Sequence, residues 1–305
     1  SDLEDIRLMT TGQYGGIGAI IQQRPDYVVV AEPYLNFPAQ KSGLRAGDRI
    51  IEINGESAKG KSVSDVSSAL KGFPNTKIKI TIERPPDNKR INFELTREDI
   101  KIKNVPYYGI IEGDIAYIKL SNFTFGAARE VRDAFIDLKT NHNASSVVID
   151  LRGNGGGLMS EAVNIVNLFV PRNTLVVKTR GKLSEANKEY LTQFQPLDTS
   201  IPLVVLIDYF SASASEIVAG AIQDLDRGVV IGQQSFGKGL VQNVVPLSYN
   251  AKLKVTVAKY YIPSGRCIQA VDYSNRDSLG RVINNLNLPK EIFYTQNKRK
   301  VYDAG

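Results

Sequence analysis

Residues 146–169 read Ser146-Val-Val-Ile-Asp-Leu-Arg-Gly-Asn-Gly-Gly-Gly-Leu-Met-Ser-Glu-Ala-Val-Asn-Ile-Val-Asn-Leu-Phe169. The apolar, β-branched run Ser146–Leu151 predicts a buried strand. Arg152-Gly-Asn-Gly-Gly-Gly157 is a tight glycine turn, and Leu158–Phe169 predicts an apolar helix closed by Pro171. The same alternation extends on both sides. A strand is expected over Asp114–Leu120, then a helix over Phe125–Thr140 with Ala128, Val131, Phe135 and Leu138 at helical spacing. Further on, Leu203–Asp208 predicts a second buried strand, and a helix follows Ser213. Later strands are expected at Val229–Ile231, Leu240–Pro246 and Lys252–Tyr261. Strands alternating with helices imply an α/β arrangement of sheet layers under helical cover.

A chain of 305 residues has room for two domains. Its 42% hydrophobic and 23% charged content is that of a globular protein. The net charge of +6 is spread along the chain without a dense Lys/Arg block, which argues against nucleic-acid binding. One cysteine, Cys267, rules out an intrachain disulfide, and with no histidine close by in sequence it reads as a packed residue. No run approaches the ~18 apolar residues of a membrane span, and the opening residues given do not read as a signal peptide. The chain begins Ser-Asp-Leu-Glu and stops at Val-Tyr-Asp-Ala-Gly, so truncation is expected at both ends.

The N-terminal third has its own pattern. Residues 1–13 read as the end of a helix. Gly15-Gly-Ile-Gly-Ala-Ile-Ile21 is a glycine-rich entry to a strand, and Asp26–Glu32 is a second strand. Ala46-Gly-Asp-Arg-Ile-Ile-Glu-Ile-Asn-Gly55 alternates and closes on an Asn-Gly turn. Ser62 caps a helix whose Val63, Val66, Ala69 and Leu70 share a face, with Asp65 in the reciprocal capping position. Lys77–Glu83 alternates as a strand and ends at Arg84-Pro-Pro-Asp87.

Two nucleotide motifs almost appear. Gly232-Gln-Gln-Ser-Phe-Gly-Lys238 fits G-x-x-x-x-G-K, but Gly239 replaces the magnesium-binding Ser or Thr and a strand pattern follows where a helix is required. Gly153-Asn-Gly155 begins a G-x-G-x-x-G pattern that fails at Leu158, and the strand-like run Thr174–Thr179 carries no acidic residue for a ribose. The glycine turn has another use. Free backbone N–H groups where a strand turns into a helix form a ready oxyanion site for acyl transfer.

Phe210-Ser-Ala-Ser-Ala-Ser-Glu-Ile-Val-Ala-Gly-Ala221 offers three serines, Ser211, Ser213 and Ser215. Ser213-Ala-Ser-Glu216 is a capping box, so Ser213 reads as a helix cap or as a nucleophile exposed at a strand-to-helix junction, with the Ala214 N–H beside it. A Ser–His–Asp triad could use only His142, the sole histidine. The alternative base is Lys238, whose neighbours Phe236, Gly237, Gly239 and Leu240 are small or apolar. An extended segment would point Lys238 and Gln242 the same way. To accept a proton the lysine needs a pKa well below its ordinary ~10.4, which burial can supply.

Residues 14–97 resemble a PDZ domain of bacterial proteases, through G-G-I-G-A and A-G-D-R-I-I-E-I-N-G. Such a domain would hold a peptide's terminal carboxylate on Gly15, Gly16, Ile17 and Gly18 and add the peptide as a strand beside Ile17–Ile21. With the PDZ domain in front, the chain resembles a C-terminal processing (tail-specific) serine protease over roughly residues 14–270, the α/β core being expected over residues 98–305. The landmarks are I-A-Y-I-K-L-S-N-F, V-I-D-L-R-G-N-G-G-G-L, S-A-S-A-S-E-I-V-A-G-A-I-Q-D, S-F-G-K-G-L-V-Q and Y-Y-I-P-S-G-R-C-I-Q, in family order. The resemblance implies a crotonase-like α/β protease core behind the PDZ domain. It makes Ser213 the nucleophile, Lys238 the general base and Gln242 its orienting partner. Gly156 or Gly157 with the Ala214 N–H would form the oxyanion hole, and Glu216 and Asp224 would be structural acids. It implies an ATP-independent endopeptidase without metal or cofactor, acting on polypeptides with free, apolar C-termini at a periplasmic or other extracytoplasmic site. Homo-oligomers would form through terminal regions outside this chain.

Overall fold

The computed structural model describes residues 11–248, 251–271 and 291–303. The chain divides into two compact units, residues 1–102 and 103–305. The helix end expected at the N-terminus lies outside the described residues up to position 10, and a strand already starts at Gln13.

In the first unit, β1 (Gln13–Gly16) pairs antiparallel with β8 (Glu98–Lys101). The strands β2 (Ala19–Gln23), β3 (Val28–Pro33), β4 (Arg49–Ile53), β6 (Lys77–Arg84) and β7 (Lys89–Thr96) form a sheet in the order β2-β3-β4-β6-β7, with β5 (Glu56–Ser57) paired to β4. The predicted alternation in β6 is real: Ile78, Ile80 and Ile82 are buried with Val28, Val30, Ile50 and Leu95. Asn54 and Gly55 both take positive φ, the conformation a two-residue hairpin between β4 and β5 demands. The short helix α1 (Pro38–Lys41) precedes β4. Helix α2 (Val63–Leu70) carries the predicted reciprocal cap, Asp65 N–H to Ser62 Oγ at 3.2 Å and Ser62 N–H to Asp65 Oδ2 at 3.1 Å. Its C-terminal carbonyls are met by the buried Arg97, whose guanidinium donates to Leu70 O and Ala69 O, each at 3.0 Å.

The second unit is built on the sheet β15-β14-β11-β10-β9. The hairpin β9 (Tyr107–Ile111) and β10 (Ile115–Lys119) is antiparallel. From β10 onward, β11 (Ser146–Asp150), β14 (Leu203–Ile207) and β15 (Val229–Gly232) run parallel. Three helices cover it: α3 (Ala127–Asn141), α4 (Met159–Asn167) and α5 (Ala214–Asp224). The predicted face of α3, with Val131, Phe135 and Leu138, is buried in a core shared with Val147, Ile149, Val205, Ile165 and Ile217. A second sheet, β13-β12-β17-β16, joins β12 (Leu175–Arg180), β13 (Lys188–Leu191), β16 (Leu240–Pro246) and β17 (Lys252–Tyr261). Strand β16 follows Lys238 where a phosphate loop would need a helix, so that motif fails in the structure as well. The hairpin β18 (Ile292–Tyr294) and β19 (Lys300–Tyr302) closes the described chain.

Candidate active site

Parallel pairing sets Asp150 of β11 opposite Leu206 of β14, so the glycine turn and the Ser213 loop leave the same edge of the sheet. Ligands of open parallel sheets bind at such carboxyl edges. The two loops are sewn together. The Ala212 N–H donates to Asn154 O at 3.0 Å, and the Gly153 N–H to Asp208 Oδ1 at 2.9 Å. Burial works against the ionised Asp208, but N–H groups of Gly153, Phe210 and Ser211 outweigh it and hold the carboxyl below its ordinary range.

The three serines are unlike. Ser211 is fully buried and its hydroxyl bonds Leu151 O at 2.9 Å. Ser215 is equally buried and its hydroxyl bonds Asn154 O at 2.9 Å. Ser213 alone is half-buried, and it sits at φ 58°, ψ −110°, a region that L-residues rarely occupy. Opposite it, Gly156 has no room for a side chain: a Cβ would lie 2.6 Å from Ala212 O and 2.8 Å from Ser213 Cβ.

The two glycines named for the oxyanion hole are also unlike. The Gly156 N–H donates to Asn154 Oδ1 at 2.9 Å. Among the described residues no acceptor meets the N–H of Gly157 or of Ala214. Ala214 opens α5, whose first N–H groups lie at the positive end of the helix.

Glu216 organises the far side. Its Oε2 accepts the Ser213 N–H at 2.7 Å and the Lys238 N–H at 2.9 Å. Its Oε1 accepts the Ser235 hydroxyl at 2.7 Å and the Gly237 N–H at 2.6 Å. Burial pushes this carboxyl above its ordinary range, and the four donors only partly counter that. The capping-box spacing and the family resemblance singled it out in sequence; neither linked it to residues 235–238. Asp224, the other expected structural acid, lies 3.0 Å from Arg266 and accepts the Ser264 N–H at 2.9 Å.

The Lys238 backbone is therefore fixed beside that of Ser213, but its side chain is exposed. Among the described residues no hydrogen bond joins it to Ser213 or to Gln242, which is exposed in β16 opposite Thr256. The Ser213 hydroxyl instead neighbours Tyr260. Burial pushes that phenol up, Tyr190 adds to the shift, and Ser213 draws it partly back. His142 follows α3 and precedes the amino end of β11, whereas Ser213 follows the carboxyl end of the parallel β14. Five residues of strand, about 16 Å, separate those edges, so the lone histidine is not the base for Ser213. Cys267 is half-buried, and burial pushes its thiol up. Within the first unit, Gly15 and Gly16 are paired in the β1–β8 ladder, while Ile17 and Gly18 turn into the edge strand β2.

The profile of peptidase family S41 matches residues 114–274, more than half of the chain. The chain belongs to peptidase family S41. A PDZ domain profile matches residues 29–84, so the α/β architecture is a PDZ domain joined to an S41 protease core. The chain is 36% identical to a carboxy-terminal-processing protease of Bartonella bacilliformis, over 88% of this chain and 62% of the relative. It is 34% identical to a chloroplastic C-terminal processing peptidase of Tetradesmus obliquus, over 90% of this chain and 62% of the relative. It thus spans about three fifths of the length of these S41 relatives. The solved photosystem II D1 C-terminal processing protease superposes with a TM-score of 0.52 at 33% identity, covering 87% of this chain and 72% of that one.

Proposed function

We propose that this chain is the tail-binding and catalytic part of a serine endopeptidase that cleaves proteins near their C-termini through a Ser213–Lys238 dyad. The observation that carries the reading is the setting of Ser213. It is half-buried at a strained junction, next to the unpartnered N–H of Ala214, and tied through one Glu216 oxygen to the Lys238 backbone. In the reaction the neutral Lys238 amine takes the Ser213 proton as Oγ attacks the scissile carbonyl. The N–H groups of Gly157 and Ala214 receive the oxyanion. Collapse expels the amine, which takes the proton from Lys238, and leaves an acyl-enzyme. Water, deprotonated by Lys238, then hydrolyses the ester. Gln242 orients the amine. The dyad requires neither metal nor nucleotide.

The first unit would deliver the tail. Strand β2 is a sheet edge, open to pairing by an extended peptide. The terminal carboxylate would lie at the Ile17–Gly18 turn, with an apolar last side chain beside α2. The substrate class is polypeptides with free, apolar C-termini, the setting extracytoplasmic, and self-association would use regions outside this chain.

One observation favours a second reading. The exposed Lys238 side chain, unbonded to Ser213, suits a silent peptide-binding scaffold. Cleavage of an unstructured protein by wild type, Ser213→Ala, Lys238→Ala and His142→Ala separates the two. The dyad requires loss in the first two variants and retention in the third. Equal cleavage by wild type, Ser213→Ala and Lys238→Ala would sink it, and no cleavage by wild type would favour the scaffold. Amidating the substrate's C-terminus should weaken binding; unchanged binding would remove tail capture.

A further inference from the structure

Three aromatic rings stand out of the surface around Ser213 and Lys238. Tyr209 is 57% exposed, Phe210 66% and Phe236 46%. They form one cluster, with Tyr209 edge-on to Phe210 at 5.7 Å between ring centres and tilted against Phe236 at 5.8 Å. Edge-on and tilted contacts leave ring faces open to a further apolar group. A contiguous exposed apolar patch marks a binding surface more often than a stray side chain does.

The cluster is built rather than loose. The Phe210 N–H donates to Asp208 Oδ1 at 3.0 Å. The Phe236 N–H donates to Ser211 O at 3.0 Å, which ties the two aromatic loops to each other. The two residues after Phe236, Gly237 and Lys238, are held by Glu216. Burial alternates along this segment: Ser235, Gly237 and Gly239 point inward, while Phe236 and Lys238 are exposed. Gly237, between them, is at φ 80°, so the segment turns there and leaves both Phe236 and Lys238 exposed beside the turn. Phe210 is three residues before Ser213 on the other loop.

We infer that Tyr209, Phe210 and Phe236 form a subsite for one large apolar or aromatic side chain of the substrate polypeptide, next to its scissile bond. This rests on the Ser213–Lys238 reading above. Each loop that carries a reacting residue carries a ring within three positions of it, and the Phe236 N–H bond to Ser211 O joins the two loops. A chain attacked by Ser213 thus lays a neighbouring side chain on the rings. The occupant is the substrate, because the patch is continuous with the reacting residues on both loops that carry them.

The test uses peptides identical except for Phe or Gly at each position flanking the cleaved bond, with kcat/KM read for each. Wild type is expected to prefer Phe at one position by about 10- to 200-fold, the range a hydrophobic pocket supplies. Phe236→Ala and Phe210→Ala should bring that ratio towards one, mainly through KM, and Phe236→Tyr should restore it. Equal cleavage of the Phe and Gly peptides by wild type overturns the inference, as does a ratio unchanged in both alanine variants. A dimer of wild type that Phe236→Ala converts to monomer, with the ratio unchanged, would assign the patch to a second copy of the chain. Labelling by a fluorophosphonate distinguishes the two levels. Wild type labelled at Ser213 but unselective refutes the subsite alone; wild type neither labelled nor active refutes the dyad.

Discussion

Replacing Glu216 tests the link between fold and chemistry most directly. Its two oxygens accept four donors, and one oxygen serves the backbone N–H of both Ser213 and Lys238. In Glu216→Gln the amide oxygen can keep those two N–H groups. The new NH2 then faces Ser235, whose hydroxyl can rotate to accept, and the Gly237 N–H, which cannot. One buried donor is left unmet, at a cost of about 1–3 kcal/mol. Part of that is offset because a buried charge is removed. The expected loss is about 2 kcal/mol. Glu216→Ala leaves every donor without its acceptor and should cost about 4 kcal/mol or more. It also frees the two loops, and misplacement by about 1 Å is worth roughly 100-fold in rate. Urea denaturation and initial rates on one peptide read both effects, with kcat falling more than KM rises. Stabilities of both variants within about 0.5 kcal/mol of wild type, the range of neutral surface changes, would refute the reasoning. The pH dependence has a sign. Burial raises the folded pKa of Glu216, so the folded state holds the proton more tightly than the unfolded chain. The advantage of wild type over Glu216→Gln is full below the ordinary carboxyl value and shrinks as pH rises through the raised one. An advantage that grows with pH would mean the four donors outweigh burial.

Gly156→Ala should abolish cleavage. The residue is at φ 96°, and its Cβ would meet Ala212 O at 2.6 Å and Ala214 N at 2.9 Å; wild-type kcat in a soluble, cooperatively folding variant would contradict this. Asp150→Asn should remove an acid-sensitive part of stability. Burial disfavours the charged Asp150, but Arg152, Tyr117 and Lys119 outweigh it and hold the carboxyl well below its ordinary range. Wild-type stability should therefore fall as pH drops below about 4, the ordinary aspartate value, with a shallower fall in the variant; parallel urea midpoints across that range would rule this out. Arg97→Met should cost about 2–4 kcal/mol by baring the Leu70 and Ala69 carbonyls. Hydrogen exchange should then rise in residues 63–71, and unchanged protection there would show that the guanidinium is not holding α2.

Much of the fold could be read in advance because its strands are short apolar runs and its helices keep one apolar face. The Val131–Phe135–Leu138 stripe and the alternating Ile78, Ile80 and Ile82 are local signals, and they survive into the core. The choice among Ser211, Ser213 and Ser215 is not local. All three occur in the same Ala-Ser repeat, and what separates them is a pair of acceptors, Leu151 O and Asn154 O, about sixty positions earlier. Gly156 and Gly157 were equivalent in sequence for the same reason. The Asn154 side chain takes one N–H and leaves the other. The pairing of β1 with β8, and the joining of two loops by Glu216, likewise depend on partners brought together only by folding.

That division bears on the chemistry. The backbone N–H groups of Ser213 and Lys238 bond the same oxygen, so they are separated by no more than the sum of 2.7 and 2.9 Å. The loops, the strained serine and the open N–H groups of Gly157 and Ala214 are thus in position before any substrate arrives. What differs from the proposed reacting arrangement is the Lys238 side chain, which is exposed. Its engagement with Ser213 requires rotation about side-chain bonds and no rebuilding of either loop. Exposed rotamers interchange in picoseconds to nanoseconds, so this step would not limit turnover. What turns the amine inward must instead be a difference in environment. A polypeptide lying across Ser213 and Lys238 would exclude water from the amine and leave the Ser213 hydroxyl as a partner within its reach.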